Sequence, residues 1–243
     1  MKQIINSDYT SFVTNIKKYF IESHSSIHKA RNEIKIVEYN SKKYVVKSFK
    51  VPNLANKIIY SFVKKSKAQK SYINSLKIIK FVPEPIAFVE FRKNGLIHDS
   101  YFISEYFDYN FTIRDALTKD NVADKDLLFK EFAKFTFNLH ENQILHNDYS
   151  PGNILIKKIT NTFLFKIVDI NRMSFYSLSI DMRMKNFSKL WAKDKDLKII
   201  VEEYAKIAKI DKVEAIRKAI YYSQKHKDKI NMKKRLRGVP VVD

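Results

Sequence analysis

Three pairs of strand-like runs, each closed by a short polar turn, punctuate this 243-residue chain and restrict what it can fold into. Residues 33–39 and 42–49 alternate or run β-branched on either side of Asn40 and Ser41, and residues 86–92 and 96–106 flank Asn94 and Gly95, the strongest short hairpin signal in the sequence. Residues 153–159 and 163–170 form the third pair, joined through residues 160–162. Between the first two hairpins, residues 53–80 read as helix: Leu54, Ile58 and Phe62 recur every four residues, and Ala68, Tyr72, Leu76 and Ile79 follow a 3.6-residue period. The pattern fits one long helix or two broken near Ser66, ended by Pro83 and Pro85. Before the third hairpin, Asp124 is placed to cap a helix with Leu128, Phe132, Phe135 and Leu139 on one face; beyond the hairpin the pattern is mainly helical. This order predicts an α+β chain in two lobes: a small β-rich N-lobe with a long helix (1–106) and a mainly helical C-lobe (107–243), with the boundary near 106–112.

A hydrophobic content of 45%, with 14% aromatics, is enough for a proper core. Three Gly and five Pro leave no flexible linker, so the lobes are expected to be joined closely. Zero Cys excludes disulfides, thiolate nucleophiles and Cys-ligated zinc, and the six His show no paired metal spacing. Polar residues interrupt the first twenty positions, and no run approaches the roughly 18 apolar residues of a spanning helix, so a soluble, cytoplasmic protein is expected.

A net charge of +20 implies an anionic partner, and its distribution narrows the choice. Residues 47–82 hold nine Lys and no Asp or Glu; residues 225–237 hold seven Lys or Arg against Asp228 alone. Two basic patches able to meet an anionic membrane surface are expected. Nucleic acid has only charge in its favour, because no aromatic-rich recognition motif accompanies the lysines.

The chemistry-bearing stretch is HNDYSPGNIL, residues 146–155, which directly follows the helix of Leu128 and Leu139. Phosphoryl transfer from a nucleotide needs mainly a positioned hydroxyl, a held metal and neutralised charge. An Asp on a loop can orient the acceptor hydroxyl, an Asn five residues later can reach magnesium, and an Asp after the next hairpin can chelate it. Asp148, Asn153 and Asp169 stand in that order, and Lys47, in the upstream run YVVKSF, stands where a nucleotide-phosphate lysine belongs. His146 reads as a structural histidine whose ring bonds the loop backbone.

With these motifs in place, HNDYSPGNIL, KIVDINRMSF and MKNFSKLW, together with YVVKSFKVPN and PEPIAFVE upstream, resemble the lipopolysaccharide core kinases, the Kdo/heptose kinase group within the protein-kinase-like fold. The resemblance covers residues 33–191 and implies ATP and Mg2+ as cofactors. It also implies phosphorylation of an inner-core sugar hydroxyl on the cytoplasmic face of the inner membrane. Carried over by position, Asp148 meets the acceptor hydroxyl, Lys47 the α- and β-phosphates, and Asn153 and Asp169 the metal. The sequence also departs from the pattern. No glycine lies between Met1 and Gly95, so the loop over the phosphates, placed near residues 28–33, relies on Lys29 or Arg31 for charge. Gln69 occupies the place of the helix Glu that pairs with the nucleotide lysine, which leaves Asp169 to hold Lys47. The run DIN replaces Asp-Phe-Gly, and no Ala-Pro-Glu follows, which favours a sugar over a protein acceptor. Another small-molecule or protein acceptor, or a basic pseudokinase acting as a binding module, remains open, and the oligomeric state is not specified.

Overall fold

A computed structural model describes the chain apart from residues 1, 6, 30–31, 51–52, 120–121 and 242–243. It divides into two compact units: Met1–Asp108 with Asp169–Asn171, and Tyr109–Val168 with Arg172–Asp243.

In the first unit, strand β1 (Lys2–Ile5) precedes short helices α1 (Thr10–Thr14) and α2 (Ile16–Glu22) and then strands β2 (Ser26–Lys29), β3 (Asn32–Tyr39) and β4 (Lys42–Phe49). Helix α3 (Leu54–Ile58) runs into a π-turn at Ile59–Val63, and α4 (Lys67–Lys77), β5 (Pro85–Lys93) and β6 (Leu96–Glu105) follow. Among the described residues six strands form one sheet in the order β1-β5-β6-β4-β3-β2. Both expected hairpins are present. Asn40 and Ser41 take φ of 48° and 60°, and Asn94 and Gly95 take 51° and 75°, the paired left-handed geometry that matches strand twist. The loop expected over the phosphates joins β2 to β3; Ala30 and Arg31 lie outside the described residues, and the roles expected of Lys29 and Arg31 are not assigned.

Alternation along β4 sorts its side chains between two cores. Tyr44 and Val46 join Phe12, Val13 and Ile16 of α1 and α2 on one face, while Phe49 joins Ala68 and Tyr72 of α4 on the other. Burial of each such Phe stabilises the fold by about 1.5–3 kcal/mol. With both faces covered, β5 reads as a nearly continuous apolar run. Lys47, two residues before Phe49, shares the α4 face, and its Nζ lies 5.4 Å from the Phe49 ring centroid.

The helical stretch 53–80 is two helices, broken at Ser66. That residue is buried, and its Oγ accepts the Gln69 amide at 3.1 Å, capping α4. The break follows from this cap, which satisfies an amide that a continuous helix would have bonded internally. Ser66→Ala is expected to cost about 1 kcal/mol of stability, read as a shift in the denaturation midpoint. The buried stripe of α4 is Ala68, Ser71, Tyr72 and Ser75, and the Tyr72 ring packs on Phe88 of β5 with centroids 5.7 Å apart. Leu76 and Ile79, expected on the apolar face, are exposed.

The second unit contains β7 (Phe111–Thr112), α5 (Ile113–Thr118), α6 (Lys125–Glu141), β8 (Ile144–His146), β9 (Ile154–Ile159), β10 (Thr162–Ile167), β11 (Met173–Phe175), α7 (Ile180–Phe187), α8 (Asp194–Ala208) and α9 (Lys212–Arg235). Helix α6 buries Leu128, Phe129, Phe132, Ala133 and Leu139, and α8 buries Leu197, Ile200, Val201 and Tyr204, the two helices packing together. Phe135 is half-buried and stacks on Phe165 of β10, with centroids 5.3 Å apart. Asp124 stands at the start of α6 but does not cap it: its left-handed backbone (φ 58°) turns the carboxylate away, and it pairs with Lys158 at 2.8 Å instead. Among the described residues, no helix is long and apolar enough to cross a membrane.

Candidate active site

In the first unit, Lys47 meets Asp169 in an ion pair, the Lys ammonium being largely buried. Asp169 was expected within 107–243, but by its contacts the segment Asp169–Asn171 belongs to the first unit. Two side chains hold it there. Asn171 Nδ2 donates to Asp169 Oδ1 at 2.7 Å, and Asn74 Nδ2 of α4 donates to the Ile170 carbonyl at 2.7 Å. Asp169 itself has φ of 59°, a conformation Asp tolerates better than most residues. Gln69, expected to stand where a helix Glu would pair with Lys47, makes no hydrogen bond to it among the described residues. Its backbone amide is in the α4 cap. The α4 residue that reaches the segment is Asn74, and no signal in the sequence singled it out.

In the second unit, the loop after β8 is closed by its own backbone. His146 Nδ1 accepts the Asp148 amide at 3.0 Å, and Nε2 donates to the Val168 carbonyl at 3.0 Å, so the ring is a neutral strut with its proton on Nε2. Asn153 Nδ2 donates to the Asp148 carbonyl at 2.9 Å, the Val168 amide donates to the Asn153 carbonyl at 2.9 Å, and Pro151 opens a single 3-10 turn between them. Tyr149 is fully buried, its hydroxyl 2.9 Å from Thr136 Oγ1 on α6, and burial pushes its phenol pKa up. Asp148 therefore turns outward between two anchored neighbours. Its carboxylate is 40% exposed and lies 3.8 Å from the Arg172 guanidinium.

Gly152 lies directly under the Arg114 guanidinium, a flexible side chain that a larger residue would displace. A Cβ there would come within 2.8 Å of Arg114 Nη2, and α5, which carries Arg114, is fixed by a capping box between Thr112 and Asp115. Arg114, Asp148, Lys189, Trp191 and His226 line a cavity of about 560 Å³ in this unit, completed by apolar residues including Leu117 and Ile230. Asp148 is the only carboxylate among the lining residues. Trp191 sits edge-on to His226 at 5.9 Å. Burial, then the charges of Lys189 and Lys229, hold the His226 pKa below its usual value, so its ring is neutral at pH 7.

Beneath the loop runs a buried polar chain that the sequence did not reveal. The Tyr204 hydroxyl meets His140 Nδ1 at 2.9 Å, His140 Nε2 meets Asn186 Oδ1 at 3.2 Å, and Asn186 Nδ2 donates to the His146 carbonyl at 3.1 Å. Burial first, then nearby Arg183, pushes the His140 pKa down from 6.5 to about 4 against the opposing hydrogen bond to Asn186. The unfolded chain thus binds a proton below about pH 6.5 that the folded chain refuses until about pH 4. Stability is expected to fall with pH across that window, by about 2 kcal/mol between pH 6.5 and 5. Urea denaturation at those two pH values tests this, and His140→Gln should flatten the difference.

A β-rich unit carrying the Lys47–Asp169 pair and a mainly helical unit carrying the Asp148–Asn153 loop define a protein-kinase-like fold. Among solved structures, that of WaaP in complex with acyl carrier protein is similar, with a TM-score of 0.62 at 11% sequence identity, covering 94% of this chain and 99% of that one. No protein-family model matches the chain, and no curated protein matches it in sequence.

Proposed function

We propose that this protein is an ATP-dependent kinase that phosphorylates a sugar hydroxyl, of Kdo or heptose, in the lipopolysaccharide inner core. One observation carries the reading: Asp148 is held by its backbone on a locked loop while its exposed carboxylate is the only acid among the residues lining a 560 Å³ cavity that also presents Arg114 and Lys189. A cavity of that size accommodates one or two sugar rings. Trp191 offers a face for their C–H groups, Arg114 and Lys189 meet acidic substituents, and Asp148 accepts the proton of the reacting hydroxyl.

The remaining residues suit a nucleotide and its metal. Asn153 uses its N–H₂ group on the Asp148 carbonyl and so keeps its carbonyl oxygen as a ligand, and Asp169 adds a carboxylate. Both are hard oxygen donors of the kind magnesium takes. Bound together, ATP supplies the phosphoryl group and magnesium neutralises its charge. Lys47 would meet the α- and β-phosphates, and its ion pair with Asp169 provides the orientation that a helix Glu otherwise gives. The resemblance of the sequence motifs to those of lipopolysaccharide core kinases and the fold similar to that of WaaP support the same reading. The complex in which WaaP was solved makes acyl carrier protein a partner to test here as well. Peripheral attachment to the inner membrane through the basic patches completes the proposal.

Calorimetric titration with ATP tests the nucleotide half. Wild type is expected to bind ATP more tightly with magnesium than without it, and Lys47→Ala to weaken binding by about tenfold or more. Binding indifferent to magnesium and to Lys47→Ala would contradict the assignment and favour a scaffold role.

A further inference from the structure

The four-residue repeat of Leu54, Ile58 and Phe62 predicts a helix with an apolar face, and such a face is normally turned into a core. Here it is turned out. Leu54 is 68% exposed, Phe62 72% and Val63 75%, with Ile58 exposed beside them. The opposite side is the one that docks. The Ile97 amide of β6 donates to Ser61 Oγ at 2.9 Å, Arg92 Nη2 reaches the Ser61 carbonyl at 3.4 Å, and Tyr60 is half-buried. The π-turn, closed by the Lys64 amide on the Ile59 carbonyl at 2.7 Å, is an uncommon element concentrated at functional positions. Lys57, Lys64 and Lys65 border the apolar side chains, and no acidic residue occurs anywhere in residues 47–82.

We propose that α3 and the π-turn form an interfacial membrane anchor that inserts Leu54, Ile58, Phe62 and Val63 into an anionic bilayer while Lys57, Lys64 and Lys65 pair with lipid headgroups. Large apolar side chains on one side of a short helix, rimmed by flexible lysines, are the composition of a segment that lies in a membrane interface. The charge decides between occupants. Lysines with no acid among residues 47–82 suit a diffuse field of headgroups, whereas a folded partner would be met by fixed, paired polar contacts. This extends the proposed function, since a lipid-linked acceptor lies at such a surface. It also goes beyond charge attraction, because the apolar residues must enter the lipid.

The test uses the full-length protein with vesicles and needs no turnover, so failure of the kinase reading would leave its result standing. Wild type is expected to sediment with phosphatidylcholine vesicles containing phosphatidylglycerol and not with phosphatidylcholine alone. Phe62→Asp/Val63→Asp, exposed positions whose replacement should leave the circular dichroism spectrum unchanged, should lower that partition by about tenfold or more. A Phe62→Trp variant should be quenched by brominated lipids more strongly than wild type, whose one tryptophan is Trp191. Sedimentation without quenching of Phe62→Trp would overturn the proposal in favour of charge attraction alone. So would insensitivity of binding to Phe62→Asp/Val63→Asp. Protection of Phe62→Trp by acyl carrier protein, or loss of a wild-type dimer in Phe62→Asp/Val63→Asp, without vesicle insertion, would overturn it in favour of a protein partner or a second copy.

Discussion

Asp148→Ala is expected to lower phosphate transfer by about 10²–10⁴-fold, the range typical of losing a positioned general base, and to leave the fold as stable as wild type. Both halves follow from the geometry. The structural contacts at position 148 are made by the backbone, whose amide bonds His146 and whose carbonyl receives Ser150 and Asn153, and Ala retains all of them. Among the described residues the carboxylate contributes only an exposed ion pair with Arg172 at 3.8 Å, and pairs of that kind are worth about 0–1 kcal/mol. Asp148→Asn, similar in shape but unable to take a proton at neutral pH, should lose as much activity. A loss under about threefold in either variant, measured as kcat/KM with unchanged thermal midpoint, would remove Asp148 from the chemistry.

The second large effect lies beneath the loop. Asn186→Leu strips His140 Nε2–H of its acceptor and the His146 carbonyl of its side-chain donor, both inside the protein. Each buried polar group left unpaired costs about 1–3 kcal/mol, so the variant should lose about 3–5 kcal/mol and melt roughly 10 °C lower for a chain of this size. Transfer should fall too, because the His146 backbone carries the strut that holds the Asp148 amide. A double variant, Asn186→Leu with His140→Phe, should lose less than the sum of the single changes, since removing both partners of a buried bond costs less than removing one. Strict additivity in that cycle would show that the two residues are not coupled.

The local features of this fold were legible in the sequence and the long-range ones were not. Two of the hairpins announce themselves through turns, Asn40-Ser41 and Asn94-Gly95, that take left-handed backbone, whereas the sequence leaves one helix or two open near Ser66 and the buried cap decides for two. Lys47, Asp148, Asn153 and Asp169 are candidates because their types and order suit the chemistry of phosphoryl transfer, and the structure pairs Lys47 with Asp169 and Asn153 with the Asp148 carbonyl. His146 reads as a structural histidine bonding the loop backbone, and its ring does bond the Asp148 amide and the Val168 carbonyl. Asn74, His140, Asn186 and Tyr149 could not be named from the sequence, because each acts on a partner brought close only by the fold: Asn74 and Ile170 are 96 residues apart, and His140 and Asn186 are 46 apart. Periodicity revealed that residues 54–62 are helical but not which way the apolar face turns, since the pattern is the same for a buried face and an exposed one. Asp124 shows the limit of capping rules: the position was right, but the left-handed backbone and Lys158 took the carboxylate elsewhere.

The most direct measurement is transfer of labelled γ-phosphate from ATP, with magnesium, to purified lipid-linked inner-core acceptor, compared between wild type and Asp148→Ala at equal protein concentration. The expected result is a phosphorylated core sugar from wild type and a loss of at least about a hundredfold in the variant. Equal transfer by both proteins, or none by wild type to the core while a soluble alcohol or a peptide is phosphorylated, would contradict the assignment of a lipopolysaccharide core kinase acting through Asp148.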